Sequence, residues 1–144
     1  MLGRIAYYYA QIRQAKAKHG KSPRFEHIDR AIRLSDLPAG AEVLCIGARN
    51  AAEPLAFRAR GYRAVGVDLL PHLHPAMRWA DYHRLPFRDD RFSLLYVAHA
   101  YEHARDITTA AQEALRVLKP GGFLYAAFPV GFVPSPHDLV DFGS

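Results

Sequence analysis

The chain has 144 residues, half of them apolar and 23% charged, which is the size of one compact domain with a core large enough to fold without disulfides or metals. Its one cysteine, Cys45, excludes a disulfide scaffold, and no run approaches the roughly twenty apolar residues of a membrane span. The net charge of +5 is concentrated at the amino end, where eight Lys and Arg residues up to Arg33 face only Glu26 and Asp29.

Ile5, Tyr8, Tyr9 and Ile12 recur at helical spacing and predict a first helix, ended by Gly20 and Pro23. Because this opening mixes charges among its apolar residues, it is not expected to be a signal peptide, and a cytoplasmic protein is expected. A second short helix is predicted over 24–34 with Phe25, Ile28 and Ile32 on one face. Residues 1–40 thus make a helical segment expected to pack on the remainder of the chain as an edge or lid, all within a single domain. The basic charge reads chiefly as a solvated helix face, with nucleic acid or another polyanion as the weaker alternative.

From Ala41 the period changes. β-rich runs at 42–46, 64–67, 92–98 and 122–128, with a weak fifth at 77–80, alternate with helix-like segments at 51–60 and 107–118 rich in Ala, Leu, Arg and Glu. Near-continuous apolar strands separated by helices predict an α/β, doubly wound, Rossmann-like and mostly parallel sheet of about five strands, covered by helices on both faces. Cys45 lies inside the first apolar run and is expected to be a buried thiol in a reducing compartment.

The first strand runs into a turn at Gly47 and then a helix, an arrangement that turns backbone amides toward a ligand approaching closely. About twenty residues on, the second strand ends in Asp68, whose carboxylate can accept hydrogen bonds from both hydroxyls of a ribose. Alone, this pair points to an adenosine-containing ligand and no further.

Three more segments narrow it. Asp81 precedes Leu85-Pro86-Phe87 and an acidic turn; the fourth strand ends in an acidic-His pair, Glu102-His103; and a helix leads through Lys119-Pro120-Gly121-Gly122 into the last strand. In this order, over residues 41–130, the sequence resembles the class I S-adenosylmethionine-dependent methyltransferases, in the branch called methyltransferase type 11. The resemblance implies that Gly47, Ala48, Arg49 and Asn50 wrap the methionine part of S-adenosyl-L-methionine. It also implies that Asp68 takes the ribose hydroxyls with Leu69 against the adenine, that Asp81 accepts from the adenine amino group beside Tyr82, and that Ala98 and His99 face the sulfonium and the methyl acceptor.

Two positions depart from the family. Cys45 stands where an acid is usual, and the glycine-rich turn reads Gly47, Arg49, Ala51. Arg49 can pair with the cofactor's carboxylate, and Glu53, one turn into the helix, can serve its ammonium group. Methyl transfer from a sulfonium depends mainly on in-line positioning and exclusion of water, so a base is optional. His99 and His103 are the candidate bases for a hydroxyl or amine acceptor, expected to be a small molecule.

Two rival chemistries share parts of this pattern. His99, Glu102 and His103 spell the HxxEH zinc-peptidase signature, but that motif needs a helix, and here it comes directly after a strand. No metal site is therefore expected. A nicotinamide dehydrogenase shares the sheet and the ribose acid but calls for a GxGxxG turn that this chain lacks. The family generally continues past its fifth strand into a helix and a hairpin, whereas this sequence stops at Ser144. The last strand is accordingly expected to form an apolar edge covered by a second copy or a protein partner, and a catalytically inactive, methyltransferase-like subunit is the alternative to an enzyme. Tyr7, Tyr8, Tyr9, Pro134, Pro136 and His137 are the further residues that can border the pocket.

Overall fold

The computed structural model describes residues 25–71 and 73–128. The expected first helix, most of the basic amino-terminal residues, the three tyrosines and the proline-rich carboxyl end lie outside these. Five strands, β1 (Glu42–Ile46), β2 (Arg63–Asp68), β3 (Met77–Trp79), β4 (Phe92–Ala98) and β5 (Leu118–Ala127), make one sheet in the order β3-β2-β1-β4-β5. Every neighbouring pair is parallel, as the alternation of apolar runs and helices predicts. Three helices accompany them among the described residues: α1 (Phe25–Ser35), α2 (Ala52–Ala59) and α3 (Ile107–Val117). No helix among these residues is long and apolar enough to cross a membrane.

Side chains alternate across the central strand, and each set finds its own core. Leu44 and Ile46 join Val67, Leu95 and Val97 beneath Tyr82, Leu85, Phe87 and the Ala110, Ala114 and Val117 face of α3. Val43 and Cys45 join Leu94 and Tyr96 beneath Ile28 and Ala31 of α1 and Ala56 and Phe57 of α2. Both faces of β1 are sealed from Val43 to Ile46, and these four residues are all apolar. Cys45 is the buried free thiol expected from its setting.

Two expectations need correction. Phe25 does not share the buried face of α1: it is 49% exposed, and the Arg60 guanidinium lies 5.8 Å from its ring centre while pairing with Asp29 at 2.8 Å. The inward face is carried by Ile28 and Ala31, with Ile32 partly buried against the same core. Second, Lys119-Pro120-Gly121-Gly122 is not a separate turn ahead of the last strand. It is an irregularity inside β5, where Phe92 pairs with Leu118 but Leu94 with Phe123. Gly121 takes φ +75°, a conformation that its missing side chain permits within the extra loop of chain.

Candidate functional site

The carboxyl ends of the strands gather on one edge of the sheet. Leaving β1, Gly47 adopts φ +71° and donates its amide to the Val67 carbonyl at 2.9 Å, with Ala48 sharing that acceptor at 3.2 Å. A Cβ at position 47 would lie 2.5 Å from the Ala100 Cβ, so glycine here lets the β1 turn and the end of β4 meet. Arg49 holds the left-handed conformation, φ +54°, which favours glycine. Asn50 stands two residues ahead of α2, its Oδ1 accepting the Ala52 amide at 3.0 Å.

Asp68 closes β2 immediately beside this turn. Its Oδ2 accepts the Arg49 amide at 3.1 Å and its Oδ1 the Leu70 amide at 3.0 Å. An ionised carboxylate offers about four lone-pair directions, so two amides leave it room to accept from a ligand's hydroxyls. Leu69 lies next to it, half-buried. The Asp68 carbonyl accepts the Ala80 amide at 3.0 Å, which brings the ends of β2 and β3 together and sets Asp81 next in line.

Asp81 is tied down from both directions. Its Oδ1 accepts the His83 amide at 2.9 Å and lies 2.6 Å from His83 Nδ1. His83 Nε2 accepts the Asp106 amide at 3.2 Å, so the ring proton belongs on Nδ1, donated to Asp81. Asp106 in turn caps α3, accepting from the Thr109 hydroxyl at 2.6 Å and from the Thr109 amide at 3.2 Å, and these bonds, the hydroxyl's first, hold its carboxyl below the usual range. Buried Tyr82 reaches the Ala100 carbonyl at 3.3 Å. A cleft of about 870 Å³ opens beside Asp81 and His83, but Gly47, Asp68 and His99 do not line it, so it flanks the strand ends.

One clamp escaped the sequence reading. Arg116 of α3 donates to the Phe87 carbonyl and Asp89 at 2.8 Å each, to the Leu85 carbonyl at 3.0 Å, and to both oxygens of Glu113. Glu113 Oε2 accepts the Leu85 amide at 2.7 Å, and the Arg116 hydrogen bond chiefly holds its carboxyl below the ordinary value. The Leu-Pro-Phe segment beyond Asp81 is thereby fixed to α3 at both of its ends.

Glu53, expected near the cofactor's ammonium, is part-buried as a residue, yet its Oε2 is sealed from solvent and accepts no hydrogen bond. Burial pushes its carboxyl up to about 8, with the Arg49 charge opposing and the Asp68 charge adding to the rise. The Cys45 thiol is pushed up by burial and by the nearby Glu53.

At the end of β4, Ala98 is half-buried and His99 turns into the left-handed region, φ +55°, with its amide bonded to the Ala127 carbonyl at 2.9 Å. His99 Nδ1 lies 3.8 Å from Glu102 Oε1, and His103 Nε2 lies 4.0 Å from the same oxygen. Both Glu102 and His103 are buried. The helix required by the zinc signature is missing: beyond β4 there is only the single 3₁₀ turn Tyr101–His103, and His99 stands outside it. Among the described residues no group of three His, Cys, Asp or Glu side chains can hold a metal ion. Sequence reading also passed over His27 of α1. Its Nδ1 bonds the Tyr125 hydroxyl at 2.8 Å, and its ring lies 6.0 Å from that of His99.

An open parallel sheet with a glycine turn after its central strand, and acids at or beyond the ends of the next two, is the architecture of α/β domains whose ligand sites lie beyond the strand ends. Residues 44–126, more than half of the chain, match the family described as methyltransferase domain, and the chain belongs to that family. It is 35% identical over 88 residues to malonyl-[acyl-carrier protein] O-methyltransferase 1 of Coxiella burnetii, covering 57% of this chain and 31% of that protein. Against the human mitochondrial 2-methoxy-6-polyprenyl-1,4-benzoquinol methylase it is 36% identical over 83 residues, covering 56% of this chain and 20% of the relative. The YcgJ protein of Bacillus subtilis superposes with a TM-score of 0.62 at 26% identity, covering 70% of this chain and 50% of that one. This chain therefore matches between a fifth and a third of the length of the two enzymes.

Proposed function

We propose that this single domain binds S-adenosyl-L-methionine across the ends of β1, β2 and β3 and transfers its methyl group to a small-molecule nucleophile presented near β4. The bond from the Arg49 amide to the Asp68 carboxylate carries this reading, because it brings the glycine turn and the ribose acid within reach of one adenosyl ligand. The residues present fit that ligand: Gly47 lets the turn close against Ala100 beyond β4, and Asp68 beside the turn accepts only two amides, which leaves lone pairs for a ligand's hydroxyls. When bound, the cofactor supplies an electrophilic methyl group. Gly47 to Asn50 and Glu53 hold the amino-acid end, Asp68 with Leu69 holds the ribose and ring, and Asp81 with Tyr82 reads the adenine edge.

His99 is the proposed acid-base group for a hydroxyl or amine acceptor. It stands at the end of β4, with its Nδ1 3.8 Å from Glu102 Oε1. His103, the second candidate, is buried against Glu102 and suits orienting that carboxylate better than meeting an acceptor. The names of the relatives suggest malonyl-acyl carrier protein and benzoquinols as first acceptors to try. A reducing, cytoplasmic setting fits the unpaired thiol of Cys45.

The test is calorimetric titration of the purified chain with S-adenosylhomocysteine, and then transfer of labelled methyl to those acceptors. Binding in the micromolar range with label in one acceptor is the expected result; no heat at millimolar ligand ends the proposal. A second reading, a subunit that binds cofactor without turnover and associates with a second copy or another protein through β5, is favoured by the exposure of Phe123 and Leu124 on that strand, 39% and 38%. Cofactor binding without label transfer, together with a species larger than one chain in sedimentation, would select it.

A further inference from the structure

β3 begins opposite Gly66, so the first three residues of β2, Arg63 to Val65, have no strand on their outer side among the described residues. A hollow of about 380 Å³ lies there, at the amino ends of β1, β2 and β4 and therefore at the opposite end of the sheet from Gly47, Asp68 and His99. At about 3.3 Å per residue, the five residues of β1 separate the two ends by roughly 15 Å.

Four arginines line the hollow, Arg58, Arg63, Arg78 and Arg91, against a single acid, Glu42. They are held by bonds that leave their outer ends unspent. Arg58 donates its Nε to the Ala64 carbonyl at 2.8 Å, capping the uncovered edge of β2, and Arg63 donates its Nε to the Gly40 carbonyl at 3.1 Å. Arg91 Nε lies 3.5 Å from Glu42 Oε2, with its guanidinium 4.9 Å from the ring centre of Phe92 and 5.1 Å from that of Phe87. Arg78 stands 5.9 Å from the centre of the same Phe87 ring and pairs with no carboxylate among the described residues. In Arg58, Arg63 and Arg91 the inner nitrogen is thus engaged, while the terminal nitrogens bond no group among the described residues.

A guanidinium fixed through its Nε presents a planar pair of N–H donors, the geometry that matches two oxygens of a phosphate group. A merely solvated face is served by flexible lysines, and the hollow contains none. The cations converge on a concavity instead of forming a stripe, and its volume lies near the lower limit of small-molecule sites, so the ligand is compact and not a long polyanion. Val65 and Phe92 add an apolar stretch of wall that suits the carbon part of an ester.

We propose that this hollow binds a phosphate-bearing small molecule, either free diphosphate or the phosphate end of an ester, as a second site independent of the methyltransferase reading. Its distance from the strand ends makes it an anchoring site with no part in methyl transfer. A bound anion ties the starts of β1, β2 and β4 to the end of α2 and stabilises the folded chain by mass action.

The test titrates the full chain by calorimetry with inorganic pyrophosphate and with phenyl phosphate at about 0.15 M salt, where diffuse surface attraction is largely screened. Wild type is expected to bind one equivalent with a submillimolar Kd and to melt at a higher temperature in pyrophosphate. Arg63→Gln and Arg78→Gln are each expected to lose about fivefold or more in affinity. Arg33→Gln, which removes the same charge from an exposed position on α1, is expected to stay within about twofold of wild type. Thermal melts without ligand establish that each variant is folded, and Arg78→Gln, which breaks no hydrogen bond, decides the matter if Arg63→Gln does not fold. Tighter binding of phenyl phosphate assigns the hollow to an ester and tighter binding of pyrophosphate to the free anion; both support the proposal. No heat with either anion at millimolar concentration overturns it, as does an equal loss in Arg33→Gln and Arg78→Gln, which would mean attraction by net charge alone. Competition between pyrophosphate and S-adenosylhomocysteine also overturns it, by placing the anion at the other end of the sheet. Each of these failures leaves the methyltransferase reading standing.

Discussion

Arg49 and Asp68, nineteen residues apart, meet through the Arg49 backbone amide and the Asp68 carboxylate at 3.1 Å. One side chain therefore has two tasks: it fixes the turn after β1 and presents its remaining lone pairs to a ligand. Replacing it by Asn keeps an oxygen acceptor but removes the charge, and replacing it by Ala orphans the Arg49 and Leu70 amides. Asp68→Asn is expected to weaken S-adenosylhomocysteine binding about tenfold with little change in stability. Asp68→Ala is expected to lose more affinity and roughly 1 to 2 kcal/mol of stability. Calorimetry and urea unfolding check the two effects; equal affinity in wild type and Asp68→Ala would remove Asp68 from the site.

Arg49 itself carries a backbone cost. A non-glycine residue at φ +54° is strained by about 1 to 2 kcal/mol, while glycine costs about 0.5 to 1 kcal/mol of unfolded-chain entropy. Arg49→Gly is expected to leave stability unchanged or raise it by up to about 1 kcal/mol, while cofactor affinity falls because the guanidinium is gone. A shifted urea midpoint at constant slope would report the first effect, and titration with S-adenosylhomocysteine the second. A gain in affinity would mean that arginine obstructs the turn.

The contrast between these residues and the Arg116 clamp explains what the sequence could reveal. Gly47, Asp68, Asp81 and the runs forming the five strands are local signals: a turn residue after an apolar run, an acid at a strand end, a period of alternation. The parallel character of the sheet derives from them because parallel strands need helical crossovers. Arg116 and His27, by contrast, act across about thirty and about a hundred residues of chain, and nothing beside Arg116 in the sequence marks it as the partner of Leu85 and Phe87. The irregularity in β5 stayed hidden for a related reason. Lys-Pro-Gly-Gly has the composition of a turn, and only pairing with β4 makes it part of a strand.

The clamp has a pH signature. Glu113 is held ionised by Arg116 and by the Leu85 amide, so its contribution is complete above the ordinary glutamate range and fades as pH falls through the lowered value. Arg116→Met is expected to cost about 2 to 3 kcal/mol, since it removes the donors to Leu85, Phe87, Asp89 and Glu113 together. Affinity for adenosine ligands should fall with it, because Asp81 stands at the start of the segment released. Thermal melts between pH 3 and 7 test the claim, and a wild-type to variant difference independent of pH would show that Glu113 contributes nothing through its charge.

Glu53 predicts the opposite slope. Its carboxyl is raised from an ordinary value of 4.5 to about 8 by burial, so the unfolded chain loses this proton long before the folded one does. Relative to a neutral residue at this position, wild-type stability is unaffected below pH 4.5, declines steadily as pH rises toward 8, and is flat beyond that. Glu53→Gln is therefore expected to match wild type near pH 4 and to exceed it by up to a few kcal/mol at pH 8 to 9 in the absence of ligand. Saturating S-adenosylhomocysteine should narrow or reverse the gap, because the ligand binds the wild type more tightly than the variant. Denaturant titrations at four pH values, with and without ligand, separate the two trends. A stability difference that does not grow with pH would mean that Glu53 is hydrated and ionised in the folded chain, and that its sealed oxygen is not the acid the cofactor meets.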